Sequence, residues 1–274
     1  MRLFGLLKEA ASGWLDDNAP RMGAALAYYA IFSLAPIFVI AIAVAGFFFG
    51  REAVTGQFAT HIEQLIGPDG AQAVQTMLAN ADQLESKSLP TILGVILLFV
   101  GAMGLFSELR GAMNTIWKVP TPKSSGILGF LRGYLVSLLM VLVIAVLLFV
   151  LMLANAILAA LVSHFQQLQS TLGNPLVNWL ISWFITTLLF AIVYRLLPDK
   201  PVAWWDVWLG AAITSILFSA GSWLIGLYLM HAGVGSVYGA AGSLAILLTW
   251  LYYSAQVFLF GAELTKAVAA RYGR

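Results

Sequence analysis

Long apolar stretches separated by short polar segments dominate the pattern along this chain and predict membrane-spanning helices. Two stretches, 133–194 and 207–262, contain no Asp, Glu, Lys or Arg. A bilayer core takes about 20 apolar residues per helix, so each stretch is long enough for two spans and a turn. The last of these spans, 238–263, ends on a carboxylate.

Taken in order, the pattern predicts six transmembrane helices. They cover about residues 22–49, 89–105, 132–161, 175–196, 206–230 and 238–263. Pro36 lies inside the first span, where it removes a backbone hydrogen bond and predicts a kink. Gly239 lies at the start of the last span, where close helix packing or a hinge would each explain a glycine.

Amphipathic segments precede the first span and follow it. Residues 1–19 carry apolar side chains at helical spacing and predict a helix on the membrane surface, ended by the sequence Asp17-Asn18-Ala19-Pro20. The polar segment 51–88 contains two further apolar stripes separated by a strong turn signal, which predicts two amphipathic helices in the first outer loop. We therefore predict an all-α polytopic membrane protein, with residues 1–274 forming one six-helix domain.

Composition supports a membrane protein and narrows its chemistry. The chain is 61% hydrophobic and 9% charged, with a mean hydropathy of +0.91. Soluble domains carry roughly 25% charged residues. This chain has too few charged residues to cover a surface that faces water. Cysteine is absent, which excludes disulfides and thiol chemistry.

The distribution of basic residues predicts the orientation in the membrane. Only Arg51 and Lys87 flank the 51–88 segment, whereas twelve basic residues lie on the other side of the predicted spans. Since basic residues accumulate on the cytoplasmic side, both termini are predicted to be cytoplasmic and 51–88 to lie outside.

Charged and amide side chains near the predicted cytoplasmic ends are candidate ligand-binding residues. Glu263 precedes Lys266 by three residues, which predicts an ion pair on one helix face. The alternative is a lock or headgroup site in which Glu263 pairs with Arg110 or Arg195. Arg110 and Asn114 share a helical face, either as a solvated helix end or as a pocket for an anionic headgroup.

Four polar residues in or directly before the first span and one in the last span are weaker candidates. Arg21, at the mouth of the first span, could join a headgroup pocket. Tyr28, Tyr29 and Ser33 are either interfacial anchors or part of a polar lining above the kink. Gln256 is a lone amide at membrane depth, where an interhelical hydrogen bond would also account for it.

Several classes of chemistry are not indicated. The three histidines have no metal-ligand spacing, and there is neither a phosphate-binding GxxxxGK[ST] sequence nor a GxSxG sequence. RNA cleavage would require clustered carboxylates or histidines beside a basic surface. We expect no metal, no cofactor, no nucleic-acid partner and no enzymatic activity.

Separate short motifs resemble the YihY/virulence factor BrkB family of membrane proteins. The resemblance is carried by segments 24–29, 32–36, 109–117, 194–198, 210–211, 238–239, 250–252 and 261–264. It implies a bacterial inner-membrane protein with six helices. An older label for the family is ribonuclease BN, and other members have been connected with serum resistance and with export of lipid A precursors.

Two functions follow as expectations. The first is a transporter or flippase-like protein that handles an anionic lipid or other amphiphile, with Arg21, Arg110 and Arg195 holding the charged head. The second is a non-transporting scaffold that holds an envelope protein partner.

Overall fold

The computed structural model describes residues 2–33, 104–120, 175–232 and 242–272, and these ranges are almost entirely helical. The helices are α1 (Arg2–Asp16), α2 (19–33), α3 (104–116), α4 (Pro175–Leu196), α5 (Trp204–Ala232) and α6 (Gly242–Tyr272). The described part of the chain contains no strand, which agrees with the predicted all-α class. The predictions for 51–88, 132–161, Pro36 and Gly239 lie outside the described residues.

Three helices are long and apolar enough to cross a membrane. Their apolar segments are Trp179–Leu196, Trp204–Leu224 and Leu244–Tyr272. They correspond to the last three predicted spans, and α4 has the bounds predicted for it. The count of six spans and the orientation stay predictions. The described helix α6 continues nine residues past Glu263, so this carboxylate lies within a helix rather than at its end.

Helices α5 and α6 contact each other through two matching glycine–threonine pairs. Gly210 packs against the Thr265 side chain, and Gly261 packs against the Thr214 side chain. Each threonine hydroxyl donates to the glycine carbonyl four residues earlier on its own helix, at 2.7 Å in α5 and 2.8 Å in α6. Two small residues four positions apart on one helix, as here on both helices, allow the two backbones to approach closely.

A buried tyrosine joins the last three helices. The Tyr194 hydroxyl of α4 donates to the Phe258 carbonyl of α6 at 2.8 Å and lies 3.0 Å from the Thr214 hydroxyl of α5. The surrounding core contains Met113 and Ile116 of α3, Leu259 of α6 and Leu197, the residue that follows α4. This core fixes the ends of α3 and α4 against α6.

Helix α1 packs along the C-terminal part of α6. Its Leu6 and Ala10 are buried in a cluster with Leu264, Ala267 and Val268. On the other flank of α1, Phe4 is 76% exposed and Leu15 is 64% exposed. The predicted N-terminal helix is therefore confirmed, and one of its flanks is covered by protein. Contact of the other flank with the membrane surface stays a prediction.

Candidate functional site

Polar side chains from four parts of the chain meet at one place, which we call the polar end. It consists of the α1–α2 turn, the end of α3, the α4–α5 turn and residues 263–266 of α6. Two residues with left-handed backbone, Asn18 (φ 54°) and Lys118 (φ 52°), end α1 and α3 there. A lysine rarely adopts this conformation, and such residues persist where their surroundings hold them.

The first group at the polar end is a three-donor grip on a carboxylate. Arg110 of α3 donates from Nε (3.0 Å) and from a terminal nitrogen (2.6 Å) to Asp199 Oδ1. Asn114, one turn later, donates to Asp199 Oδ2 at 2.7 Å and accepts the Asp199 backbone N–H at 2.9 Å. The predicted shared face of Arg110 and Asn114 is confirmed. Their partner is the α4–α5 turn.

This grip is solvent-accessible. The Arg110 and Asp199 side chains are 26% and 37% exposed. Exposed ion pairs contribute little to stability in general, but charge-assisted contacts from several fixed donors contribute more. Since three donors converge from one helix face, the arrangement can bind a planar carboxylate or a phosphate oxygen pair.

The second group ties the α1–α2 turn to α3 and α6. Lys118 forms an ion pair with Asp17 Oδ1, and Lys266 lies 3.4 Å from Asp17 Oδ2. The same Lys266 ammonium lies 2.9 Å from Glu263 Oε2. Asp17 is 8% exposed and Glu263 is 2% exposed, so both carboxyl groups are buried.

The ion pair predicted between Glu263 and Lys266 is confirmed. The structure does not bring Glu263 to either arginine of the alternative: Arg110 contacts Asp199, and Arg195 lies over the Trp204 ring. Gly13 of α1 makes room for the buried side chain, since a Cβ at that position would lie 2.5 Å from Glu263 Oε2. The other oxygen, Oε1, is buried without a hydrogen-bond donor among the described residues.

The surroundings of Asp17 favour its ionised form. Burial by itself would raise the pKa of Asp17. Hydrogen bonds to its side chain from Lys118 and Glu263, together with the charge of Lys266, outweigh burial and hold the pKa below its ordinary value of 3.8. Asp17 is therefore a carboxylate at neutral pH and gives the α1–α2 turn a fixed negative charge.

Two further cations of the polar end lie over aromatic rings. The Arg195 guanidinium is 4.5 Å from the centre of the Trp204 ring, and the Lys200 ammonium is 5.7 Å from that of Trp117. Cation–π contacts at exposed positions contribute about 0.5–1 kcal/mol. The structure thus places Arg195 on a tryptophan and does not bring it to Arg110.

The remaining predicted residues lie in different surroundings. Arg21 is exposed in the first turn of α2. Tyr28 is 59% exposed, whereas the Tyr29 ring packs against Gly104 of α3. Ser33 is fully buried and donates to the Ala30 carbonyl of its own helix at 3.0 Å. The hydroxyl groups of these three neighbours therefore do not form one lining.

Gln256 makes the interhelical contact expected of a lone amide. Its Nε2 donates to the Pro20 carbonyl at 3.5 Å and lies against Gly23 of α2. Gln256 Oε1 is buried without a donor among the described residues. The α2–α6 contact therefore includes an acceptor with no donor among the described residues, about two helical turns before Glu263.

Sequence analysis did not select three residues of the polar end: Asp17, Lys118 and Asp199. Asp17 was interpreted only as a helix breaker, although an acid in a short turn beside apolar helices is a signal for a buried ion pair. Asp199 belongs to the turn after α4, directly following a motif that sequence analysis had noted. Its partner could not be selected from spacing, because Arg110 lies 89 residues away.

No group of three or more possible metal ligands occurs in the part of the chain that the structure describes. The polar end contains cationic and amide donors, which contact carboxylates of the same chain. It also contains two buried acidic side chains. Such groups bind anions and protons.

Comparison with known proteins places these observations in a family. A family model described as virulence factor BrkB matches residues 10–274. A UPF0761 membrane protein of Pseudomonas aeruginosa is 26% identical over 255 residues, which cover 93% of this chain and 60% of that protein. A UPF0761 membrane protein of Azotobacter vinelandii is 26% identical over 258 residues, covering 94% and 61%. This chain thus spans about three fifths of their length. No solved structure matches it.

Proposed function

This chain belongs to the virulence factor BrkB family, and we propose that it is a transporter or flippase-like membrane protein that binds an anionic lipid or other anionic amphiphile. The observation that carries the proposal is the three-donor grip of Arg110 and Asn114. The proposal contains no catalytic step, no cofactor and no nucleic acid.

The grip suits the charged head of such a ligand. Arg110 supplies two N–H donors to one oxygen, and Asn114 supplies a third donor to the second oxygen. A phosphate or carboxylate head presents two oxygens of similar spacing, so it could take the same donors. In this arrangement Asp199 acts as an internal competitor that occupies the donors until an anionic head displaces it.

Cations beside the grip would favour the same class of ligand. Lys200 follows Asp199 directly and lies over Trp117, and Arg195 lies over Trp204 at the other end of the turn. Basic groups at the mouth of apolar helices attract anionic headgroups by roughly 1 kcal/mol each near a membrane surface. The apolar part of the ligand would then lie along the adjoining helices.

The proposed setting is the bacterial inner membrane, with six spans and both termini in the cytoplasm. The names of the relatives, UPF0761 membrane proteins, support a membrane protein. Because the chain lacks cysteine, single substitutions Ala11→Cys and Thr60→Cys allow the orientation to be measured. A membrane-impermeant maleimide added to spheroplasts, in which the inner membrane is intact and accessible, should label position 60. Position 11 should stay unlabelled until that membrane is permeabilised.

The ligand proposal is tested by releasing the donors from Asp199. We expect Asp199→Asn to increase the rate at which a fluorescent phosphatidylglycerol crosses proteoliposome membranes, and Arg110→Ala to reduce it. Loss of a charge-assisted bond costs about 1.5–3 kcal/mol, which corresponds to about tenfold or more in affinity. A fluorescent phosphatidylcholine, which has no net charge, serves as the matched control lipid.

A double variant separates binding from folding. Arg110→Ala leaves Asp199 without this partner, and the combination Arg110→Ala with Asp199→Asn removes the resulting excess charge. The double variant should fold like the wild type and still lack phosphatidylglycerol translocation. Equal rates in the wild type, Arg110→Ala and the double variant would exclude this site.

One observation favours the alternative, a non-transporting envelope scaffold. The grip is filled by a residue of the chain itself, as it would be if its only role were to clamp the α4–α5 turn to α3. For a scaffold, Asp199→Asn would lower the unfolding midpoint and leave lipid translocation unchanged. An envelope protein partner would then be the expected binding component.

A further inference from the structure

Two acidic side chains from distant parts of the sequence face each other inside the polar end. Asp17 lies in the α1–α2 turn and Glu263 on α6, and both are more than nine-tenths buried. Their carboxyl groups contact the same ammonium group, since Lys266 Nζ lies 3.4 Å from Asp17 Oδ2 and 2.9 Å from Glu263 Oε2. Ionised carboxylates only accept hydrogen bonds, so a bond between these two groups requires a proton on one of them.

Two lysines contact this pair of acids, but only one of them contacts both. Lys266 of α6 lies 2.9 Å from Glu263 Oε2 and 3.4 Å from Asp17 Oδ2, so one ammonium serves both acids. Lys118 at the end of α3 contacts Asp17, and its side chain is 64% exposed. These two lysines are the charged groups that contact the pair within the described ranges.

Glu263 Oε1 has no donor among the described residues although it is buried. Native structures satisfy nearly all such atoms, and an exception points to a water, an ion or a proton. Gly13 shows that the carboxyl group is tightly enclosed on the α1 side, because a Cβ there would lie 2.5 Å from Oε2. A proton is the smallest species that completes this site.

We propose that Asp17 and Glu263 form a proton-binding site, and that the bound proton holds the α1–α2 turn against α6. Binding converts one carboxylate into a carboxylic acid, which donates to the other carboxylate, and no further bond forms or breaks. When the proton leaves, two buried negative charges compete for Lys266 and repel each other. The α1–α2 turn is then released from α6.

This site shares no residue with the Arg110 grip, so the proposed proton binding can be tested independently of the proposed lipid binding. Infrared difference spectra of the full chain in lipid nanodiscs, recorded between about pH 5 and about pH 9 where perturbed carboxyl groups titrate, would show its proton. We expect a protonated-carboxyl band that disappears on raising the pH. It should be lost in Glu263→Gln and in Asp17→Asn, and retained in the matched surface variant Glu9→Gln.

A second measurement follows the turn itself. With a spin label on Ala11→Cys, an exposed position of α1, the label should become more mobile as the pH rises. Glu263→Gln cannot lose a proton there, so it should keep the low-mobility spectrum throughout. An infrared band that persists unchanged in both acid variants, or a label mobility that does not change with pH in the wild type, would overturn the proposal.

Discussion

The backbone of Gly13 lies directly against the carboxyl group of Glu263, and a Cβ at position 13 would come within 2.5 Å of Oε2. A side chain at position 13 would therefore displace the Glu263 carboxyl group from the space that it occupies between α1 and α6. The contact joins residues 250 positions apart in the sequence and sets how deeply the α1–α2 turn enters the polar end.

Gly13→Ala should therefore destabilise the protein. The added methyl group displaces Glu263 from Lys266, and overpacking of this kind costs about 1–3 kcal/mol. Alanine gains up to about 1 kcal/mol of helix propensity over glycine, which offsets part of the loss. The measurement is the thermal unfolding midpoint in detergent.

Gly111→Ala is the matched control for that variant. Gly111 is also helical, and a Cβ there would meet nothing within 4 Å. The same substitution should be neutral or slightly stabilising at this position. If Gly13→Ala raised the midpoint as much as Gly111→Ala, the tight contact with Glu263 would be refuted.

Gly210→Ala should be more damaging than Gly13→Ala. A Cβ at position 210 would overlap the Thr265 hydroxyl and lie 2.8 Å from the Gly261 carbonyl oxygen. The backbone of α6 cannot move aside as a side chain can, so we expect a loss of about 3 kcal/mol, the upper part of the usual range for overpacking.

A second substitution tests the cause of that loss. Adding Thr265→Ala to Gly210→Ala removes the hydroxyl overlap and leaves the backbone contact, so the double variant should recover only part of the stability. Denaturant titration of both variants gives the comparison. Complete recovery would show that the helix backbones are farther apart than the structure indicates.

Tyr194→Phe should lower the free energy of unfolding by about 0.5–1.5 kcal/mol, the usual contribution of one hydrogen bond. The substitution removes the donor to the Phe258 carbonyl and the contact with the Thr214 hydroxyl, while the carbonyl keeps the backbone bond of its own helix. Tyr252→Phe, on an exposed position of α6, is the control and should have little effect. Equal effects of the two substitutions would mean that the hydroxyl of Tyr194 is solvated rather than bonded.

The lowered pKa of Asp17 predicts an acid-sensitive contribution to stability. Because its pKa in the folded protein is below the ordinary value of 3.8, the contribution is fully present above that value. It is lost as the pH falls from about 4 through the folded-state pKa, since the unfolded chain takes up the proton first. The unfolding midpoint of the wild type should therefore fall over this range.

Asp17→Asn should remove that part of the acid dependence and lower the midpoint at neutral pH. Asp16→Asn changes the exposed neighbouring acid and should preserve the wild-type profile. Unfolding midpoints measured from about pH 6 to about pH 3 bracket the ordinary carboxyl pKa values. An Asp17→Asn profile parallel to that of the wild type would contradict the assignment.

The sequence determined the helices themselves and the contacts along single helices. Helix α4 has the predicted bounds, and the Glu263–Lys266 pair follows from a spacing of three residues. Both features depend on local forces: a helix satisfies its own backbone in an apolar medium, and residues three apart meet on its surface. The family could also be predicted from the sequence, because short motifs along the chain resemble it.

The tertiary structure alone decided which charges meet. Arg110 was a candidate from sequence, but its partner Asp199 was not, and Asp17 was assigned no chemistry at all. These pairs join segments about 90 to 250 residues apart. Their choice depends on which helix ends come together, and that is set by close contacts such as Gly13 with Glu263 and Gly210 with Thr265. Apolar periodicity identifies a helix and its length, but not the neighbour against which each small residue will pack.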